Sequence, residues 1–340
     1  MSGHYVVTAS RDFLDQNDVI QCFDTESGEL LWQHLYPAAG RLDYGNSPRA
    51  TPLIHDGSVY SLGAFGDLCC LELETGLILW QVNIAKEFHA RPLTWGHSGS
   101  PILSGNRLIV QPGGSEGSLV ALDSETGDVI WKTPGTAAGY SSLLLKAVKQ
   151  TEQVIGYDAD SLGGWDAKTG KRLWRLSPAV KGDFNVPTVV SLDDRIVVAS
   201  ENNGTRIYHF ADDGTLHPEP DAVNEDLKPD SHTPAVSGGR IFGIWNEFYC
   251  LDPDQQLKTA AMITDDAFGQ YGSLIVSDRR ALVLSGEGEL ILIATDQDKP
   301  GIISRLKLTK TPVRVLAHPA VAGNAMYVRL GKTLGRLNLK

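Results

Sequence analysis

The chain has 340 residues, of which 42% are hydrophobic and 21% are charged, so it holds enough apolar surface for a folded core and is not intrinsically disordered. Its 30 Lys and Arg residues against 41 Asp and Glu residues give a net charge of -11. Because this charge repels phosphate groups and no local basic cluster offsets it, we expect neither nucleic acid nor an anionic membrane surface as a partner.

No apolar run approaches the roughly 18 residues that a membrane-spanning helix needs, so the sequence predicts no transmembrane segment and no signal peptide. The cysteines Cys22, Cys69, Cys70 and Cys250 show no CxxC spacing and predict neither a disulfide scaffold nor a zinc site. The nine histidines are scattered, without an HxxxH pair, and we predict no metal site.

One pattern occurs four times in the first half of the chain: an acidic residue, a glycine four positions later, and a tryptophan four positions after that. Apolar β-formers flank each copy and glycine adopts positive φ at no steric cost, so each copy predicts a strand, a tight turn and a second strand. Weaker copies follow. We predict that these residues are structural and that each tryptophan packs onto the neighbouring repeat near its turn glycine. The residues are Asp24, Gly28 and Trp32; Glu72, Gly76 and Trp80; Asp123, Gly127 and Trp131; Asp166, Gly170 and Trp174.

A second mark, a Pro or Ser that follows Thr or Ser in four of seven cases, starts an apolar strand seven times between residues 52 and 319. The average spacing is about 44 residues, which leaves room for four short strands, and no amphipathic helix is evident. A four-stranded repeat of this length indicates a β-propeller blade, because one twisted sheet cannot bury both of its faces alone.

The predicted fold is therefore all-β, a single propeller domain over residues 1–340 built from four-stranded antiparallel blades. Three strands precede residue 52, and two more follow the strand start at residue 319. Eight blades leave one outermost and one innermost strand missing, whereas seven blades leave two strands over. We favour eight, with incomplete closing blades, and expect about 30 further residues upstream to complete them.

The A-x-D-x-x-T-G-x-x-x-W pattern resembles the pyrroloquinoline quinone (PQQ) repeat of quinoprotein alcohol dehydrogenase-like propellers, which have WD40/YVTN-like architecture. Residues 51–144 are similar to bacterial polyvinyl-alcohol dehydrogenase-like and outer-membrane assembly-like repeat proteins. The resemblance implies a periplasmic or other extracytoplasmic location if an export signal precedes Met1. It does not itself imply quinone binding, because the repeat is a packing motif.

PQQ dehydrogenases are longer chains whose inserted loops supply an Asp base, Ca²⁺ ligands and a vicinal disulfide over the quinone. Cys69 and Cys70 suggest that disulfide, but they lie in a predicted strand, where neighbouring side chains point to opposite faces. Trp95, Trp245 and Arg49 could flank a quinone, yet no Ca²⁺ motif accompanies them. We therefore predict no catalytic residue and no cofactor, with a PQQ- and Ca²⁺-dependent oxidoreductase as the alternative.

Two further segments contain residue types that occur in functional motifs, but their spacing does not match those motifs. The sequence DADSLGGWD (158–166) carries oxygen ligands at alternating positions but lacks the acidic end of a calcium loop, so it predicts a turn. The sequence GHSGS (96–100) departs from a nucleophile elbow at Ser100 and precedes a strand instead of a helix.

The residues just before each innermost strand should meet at the mouth of the central channel, because a propeller chain crosses there from one blade to the next. They are polar or aromatic and offer hydrogen bonds, stacking faces and one fixed positive charge. We therefore predict a monomeric, non-catalytic scaffold with a polar funnel for a protein, peptide or saccharide; a hydrolase or lyase would use the same funnel. The candidate ligand-binding residues are Arg49, Trp95, His97, Tyr140, Asn185, His232, Tyr271 and His318.

Overall fold

The computed structural model describes residues 1–182, 185–269, 271–296, 300–311 and 313–339. Within these residues the chain forms eight antiparallel sheets, six of four strands and two of three, in which strands that follow one another along the chain are neighbours. This is an eight-bladed β-propeller, so the predicted fold class is confirmed. We number the blades 1 to 8 in chain order and name the first strand of a complete blade innermost and the fourth outermost.

The first compact unit, Met1–Pro178, contains blades 1 to 4. Blade 1 has three strands, β1 to β3, and blades 2 to 4 take four strands each. The strands are β1 (Tyr5–Arg11), β2 (Asn17–Asp24), β3 (Leu30–Pro37), β4 (Leu53–His55), β5 (Ser58–Leu62), β6 (Asp67–Glu72), β7 (Ile78–Asn83), β8 (Ile102–Ser104), β9 (Arg107–Val110), β10 (Leu119–Asp123), β11 (Val129–Thr133), β12 (Leu144–Val148), β13 (Thr151–Tyr157), β14 (Leu162–Asp166) and β15 (Arg172–Leu176).

The second compact unit, Ala179–Lys340, contains blades 5 to 8. Blades 5 to 7 have four strands each, and blade 8 has three, β28 to β30. The strands are β16 (Val190–Leu192), β17 (Arg195–Ser200), β18 (Gly204–Tyr208), β19 (Ala222–Asn224), β20 (Ala235–Ser237), β21 (Arg240–Ile244), β22 (Glu247–Asp252), β23 (Lys258–Thr264), β24 (Gly272–Val276), β25 (Arg280–Ser285), β26 (Glu289–Ala294), β27 (Gly301–Lys307), β28 (Ala320–Ala322), β29 (Ala325–Leu330) and β30 (Thr333–Asn338).

The two three-stranded blades agree with the strand arithmetic of the sequence. In blade 1 the acidic-glycine-tryptophan repeat joins the second and third strands, whereas in blades 2 to 4 it joins the third and fourth, so blade 1 lacks an innermost strand. In blade 8, β28 directly follows the strand-start mark at Pro319, so this blade lacks an outermost strand.

Helices are short in the described part of the chain. They comprise α1 (Ile84–Glu87) and two single 3-10 turns, Pro253–Gln255 and Asp266–Phe268. Asn83 caps α1, because its side chain accepts a hydrogen bond from the backbone N–H of Lys86 at 2.9 Å. Across the described ranges, no helix has both the length and the apolar character needed to cross a membrane.

The tryptophans of blades 1 to 3 connect each blade to the next one along the chain. The indole Nε1 of each donates a hydrogen bond to the backbone carbonyl that directly follows the acidic repeat residue of the next blade. A buried indole N–H therefore finds a partner that lies at the same position in every copy. The bonds are Trp32 to Leu73 at 2.8 Å, Trp80 to Ser124 at 3.0 Å and Trp131 to Ala167 at 3.2 Å.

The same indole rings lie against the turn glycines, as the sequence predicts. A Cβ atom placed on Gly76, Gly127 or Gly170 would lie between 2.5 and 2.9 Å from the ring of the preceding blade's tryptophan. These glycines also have φ between +72° and +77°. Glycine is therefore required twice, for the left-handed backbone and for the close approach of the ring.

The acidic repeat residues shape the turns. In Asp24, Asp123 and Asp166, Oδ1 accepts hydrogen bonds from the backbone N–H groups two and three residues later, at 2.7 to 3.2 Å. Hydrogen bonds of this kind from the backbone lower the pKa of Asp24 and of Asp123. Glu72 instead accepts from the hydroxyl of Thr75 at 2.5 Å.

Trp174 differs from the other three repeat tryptophans. Its Nε1 donates to Oε1 of Gln153 at 2.8 Å, and its ring lies over Gly164; both residues belong to its own blade. The indole hydrogen bond of Trp174 is therefore made within blade 4, whereas those of Trp32, Trp80 and Trp131 go to the next blade.

The packing of Trp131 on Gly170 can be tested against a glycine of equal backbone geometry. Gly28 has φ +74° and no neighbour within 4 Å of a Cβ, whereas Gly170 has φ +72° and the Trp131 ring in that space. Gly28→Ala and Gly170→Ala should each lose roughly 1–2 kcal/mol of stability, because alanine is strained in the left-handed backbone conformation. Gly170→Ala should lose about 1–3 kcal/mol more through overpacking, and Trp131→Ala about 3–5 kcal/mol through a cavity. Urea unfolding measures these changes in stability, and equal losses in Gly28→Ala and Gly170→Ala would contradict the packing.

Candidate functional site

Arg49, Trp95, His97 and Tyr140 belong to the first unit and lie in loops that lead to innermost strands. The guanidinium of Arg49 donates hydrogen bonds of 2.8 Å to three carbonyls of its own loop. Burial lowers the pKa of Arg49. The three hydrogen bonds indicate that this guanidinium serves first to hold the loop that carries it. The accepting carbonyls are those of Asp43, Gly45 and Ser47.

Trp95 and Tyr140 form an aromatic pair in this unit. Their ring centroids are 4.8 Å apart and the ring planes are inclined by 59°, a tilted arrangement within the distance range of aromatic pairs. Both side chains are half-buried. The backbone carbonyl of Tyr140 accepts a hydrogen bond from the hydroxyl of Ser98 at 2.7 Å, which connects the two loops.

His97 is buried, with only 6% of its surface exposed. Its backbone N–H donates to the carbonyl of Ala64 at 2.8 Å. Burial lowers the pKa of the imidazole to about 4, and a hydrogen bond with the backbone of Gln111 opposes this shift only in part. At neutral pH His97 is therefore an uncharged, enclosed side chain.

Asn185, His232, Tyr271 and His318 belong to the second unit. Asn185 is buried and has φ +52°, a conformation that Asn tolerates better than most residues. The ring of Tyr271 is half-buried, and the guanidinium carbon of Arg314 lies 4.8 Å from its centroid, within cation–π distance. His318 is exposed.

His232 is the most unusual of the candidate residues. It is 7% exposed, and neither ring nitrogen has a hydrogen-bond partner among the residues that the structure describes. Burial lowers the pKa of His232 to about 4, and the nearby negative charge of Asp230 opposes this shift only in part. A neutral imidazole has one donor and one acceptor, and leaving both without partners costs free energy. Both ring nitrogens therefore keep unused hydrogen-bonding capacity with respect to the described residues.

The candidate residues do not share one structural position. They lie between one and seven residues before the first residue of an innermost strand, as Tyr271 before Gly272 and Trp95 before Ile102 show. What recurs is a hydroxyl residue two positions before the strand. These residues are Thr51, Ser100, Ser142, Thr188 and Thr233.

These hydroxyl residues connect neighbouring blades, a role that the sequence pattern marked but did not reveal. The backbone N–H of one donates to the hydroxyl oxygen of the corresponding residue in the following blade. In the first unit, Thr51 donates to Ser100 at 2.9 Å and Ser100 donates to Ser142 at 3.0 Å. In the second unit, Thr188 donates to Thr233 at 3.0 Å. The strand-start mark is therefore a packing signal, like the tryptophan repeat.

The adjacent cysteines do not fit the disulfide of a quinone site. Cys69 and Cys70 are free thiols on β6, and their side chains enter two different cores, that of Cys69 with Trp32 and that of Cys70 with Trp80. Burial raises the pKa of Cys69 to about 12 and that of Cys70 to about 11. The prediction that they are strand residues facing opposite sides is confirmed. Because Arg49 also donates its hydrogen bonds to its own loop, Cys69, Cys70 and Arg49 are not arranged to hold PQQ.

Of the segment at residues 158–166, only 158–161 form the predicted turn between β13 and β14, whereas 162–166 are strand β14. The Asp158 carboxylate pairs with Arg172 at 2.9 Å and accepts from the hydroxyl of Ser161 at 2.9 Å. The Arg172 guanidinium also lies 4.6 Å from the ring centroid of Trp165. Within the described ranges, no group of three or more His, Cys, Asp or Glu side chains has the arrangement of a metal site.

Burial of His97 predicts a pH dependence of stability. Its pKa of about 4 lies below the value of about 6.5 for an unfolded chain, so the unfolded chain binds more protons in acid. The stability that depends on neutral His97 is complete above pH 6.5 and is lost as the pH falls towards 4. The wild type should lose about 3 kcal/mol more than His97→Gln between pH 7 and pH 4. Urea unfolding at each pH measures this, and equal losses would contradict it.

The sequence profile of the family described as outer membrane protein assembly factor BamB matches residues 16–260. The BamB protein of Burkholderia pseudomallei is 30% identical over 198 residues, which are 57% of this chain and 48% of that protein. Quinohemoprotein alcohol dehydrogenase ADH IIB of Pseudomonas putida is 30% identical over 156 residues, 43% of this chain and 22% of that protein. The matches thus span less than half the length of either relative.

Among solved structures, BamB from Moraxella catarrhalis superimposes with a TM-score of 0.65 at 15% identity, covering 97% of this chain and 89% of that one. At this identity the similarity shows the fold alone. The profile match, in contrast, extends over more than half of the chain. With its eight blades and its repeated Asp-turn-Trp packing, the chain belongs to the PQQ-repeat β-propeller family described as outer membrane protein assembly factor BamB.

Proposed function

We propose that this protein is a non-catalytic scaffold that binds a protein or peptide partner through the loops before the innermost strands of the second unit. The observation that carries this proposal is His232, a buried imidazole without a hydrogen-bond partner among the described residues. A buried polar group in this state costs free energy, and a ligand that supplies a donor or an acceptor recovers it. A saccharide is the other class of ligand with suitable groups.

The other candidate residues of this unit support a polar ligand. Tyr271 and Arg314 together offer an aromatic face and a cation, and the exposed ring of His318 offers further hydrogen bonds. Carboxylate and amide oxygens of a peptide suit this combination. Arg49, in contrast, already donates to three carbonyls of its own loop, so we assign it the role of holding that loop.

Family membership supports a protein partner. The profile that matches residues 16–260 and the relatives from two organisms carry the name outer membrane protein assembly factor. Assembly requires contact with other proteins, so the same role here implies an extracytoplasmic protein that binds a polypeptide. We propose that the protein is monomeric in the absence of its partner.

An oxidoreductase is the alternative function, and the 30% identity with the Pseudomonas putida alcohol dehydrogenase favours it. That identity covers only 22% of the enzyme. The adjacent cysteines point into separate cores, which removes the candidate for the disulfide over the quinone. We therefore propose that the protein uses neither PQQ nor Ca²⁺ and has no catalytic residue.

Binding through the loops of the second unit can be tested on arrays of blocked peptides and of glycans. Peptides that bind the wild type should bind His232→Ala about fivefold or more weakly, because the ligand loses its buried partner. Lys307→Ala is the control, since Lys307 is exposed at the end of the outermost strand of blade 7. Circular dichroism checks that both variants are folded. Unchanged affinity of every ligand for His232→Ala would overturn the proposal, and binding only to glycans would replace the peptide by a saccharide.

The absence of quinone binding can be tested by incubation with PQQ and Ca²⁺, followed by gel filtration and thermal unfolding. A ligand that binds only the folded state raises the apparent Tm. We expect the same Tm as with Ca²⁺ alone and no quinone absorbance in the protein fraction. Stoichiometric retention of PQQ would favour the oxidoreductase.

A further inference from the structure

A groove of about 750 Å³ lies between blades 5 and 6 of the second unit, away from the repeat residues. Four elements form it: the loop after β19, the turn between β21 and β22, strand β22 and strand β23. Its volume is within the range of about 300–1,000 Å³ that is typical of ligand sites. The lining residues are Glu225, Asp226, Lys228, Trp245, Asn246, Glu247, Tyr249, Thr259, Ala261 and Met262.

The groove exists because the outermost strand of blade 5 is short. Strand β19 has three residues, whereas the outermost strands of blades 1 to 4 have five to eight. It also carries no tryptophan; Asn224 makes the contact with blade 6 instead, donating to the carbonyl of Leu257 at 2.8 Å and to the hydroxyl of Thr259 at 3.0 Å. A short strand with a small side chain covers less of the neighbouring sheet, and part of blade 6 stays accessible.

The groove carries a negative charge in a fixed geometry. It contains three carboxylates and one ammonium group. The Asp226 carboxylate accepts from the hydroxyl of Thr259 at 2.8 Å, and the Glu247 carboxylate accepts from the hydroxyls of Tyr249 at 2.9 Å and Thr264 at 2.8 Å. Neutral hydroxyl donors orient these two carboxylates without cancelling their charge. Each carboxylate has about four lone-pair sites, so both keep capacity for another donor.

Aromatic and apolar surface accompanies the charge. Trp245 is half-buried and packs against the core between blades 5 and 6, so its indole has a fixed position. Met262, which lines the same groove, is 50% exposed. An indole face near carboxylates is the environment that a guanidinium recognises best, through cation–π contact on its plane and hydrogen bonds at its edge.

We propose that this groove binds an extended segment of a partner protein with an arginine as its central residue. The guanidinium lies between the carboxylates of Asp226 and Glu247 and against the indole of Trp245, while Met262 contacts the apolar neighbours of the arginine. The inference rests on the proposed function as a polypeptide-binding scaffold and assigns the chemistry of the bound segment. The site is separate from His232, so the two can fail independently.

The probe is a blocked, fluorescein-labelled peptide, Gly-Ser-Leu-Arg-Leu-Ser-Gly, and its matched control has citrulline, a neutral isostere, in place of arginine. Fluorescence anisotropy at low salt measures binding to the full chain. We expect the citrulline peptide to bind about tenfold or more weakly than the arginine peptide. No binding of the arginine peptide, or equal binding of both peptides, overturns the proposal.

Isosteric variants assign the binding to this groove. Glu247→Gln and Asp226→Asn should each weaken the arginine peptide about fivefold or more, and each amide keeps an acceptor for the neighbouring hydroxyl. Asp254→Asn removes the same charge from an exposed turn at the opposite end of β22 and should change the affinity less than about twofold. Equal effects of all three variants would mean that only net charge matters, and would overturn the site.

The variant His232→Ala separates this proposal from the proposed function. Loss of peptide binding in Glu247→Gln but not in His232→Ala supports the groove and contradicts binding through the loops near His232. Loss only in His232→Ala does the reverse. If neither variant affects any bound peptide, both proposals fail.

Discussion

The contact between an indole and a glycine turn is the interaction on which the regular part of this propeller depends. Blades 1 to 3 each bury their outermost strand by placing a tryptophan on the next blade, where a glycine leaves room and a carbonyl accepts the indole N–H. In two of the three contacts, those at Ser124 and Ala167, the preceding aspartate also accepts hydrogen bonds from the backbone of the same turn. Three residue types at a fixed spacing thus act as one unit, and a change in any of them affects two blades. Near the innermost strands, the hydroxyl residues at strand starts supply a second connection between blades.

The fold could be predicted from the sequence because its main contacts are encoded by local patterns. The spacing from Asp24 to Trp32 specifies a turn and a packing partner within nine residues, and its repetition specifies the blades. Even the two incomplete blades follow from counting strands. Trp174 shows the limit of this reasoning, since its sequence pattern is the same but its indole bonds to Gln153. The partner of an indole depends on which acceptor is nearest in space, and that acceptor is not part of the pattern.

The candidate site was less predictable, because the role of a loop residue depends on what its backbone surrounds. The sequence alone predicts Arg49 as a free positive charge, yet three carbonyls of its own loop accept hydrogen bonds from its guanidinium. His97 and His232 read as equivalent, and both are buried with a lowered pKa, but His97 has a backbone partner and His232 lacks one among the described residues. The signal at the strand starts was visible as Thr-Pro and Ser-Pro, although its bond to the next blade was not.

Loss of the repeat and gain of binding surface are linked in the second unit. Where a tryptophan fills the space between two blades, as in the first unit, the neighbouring sheet is covered and its polar groups are bonded within the turn. Where blade 5 has a short strand and an asparagine, the same space needs less apolar packing and admits carboxylates, which hydroxyl groups of blade 6 orient. A polar groove of this kind weakens the apolar packing between blades 5 and 6. It persists because Leu227 and its neighbours are still buried in the core between these blades. Decay of the repeat therefore supplies a place for recognition without opening the core.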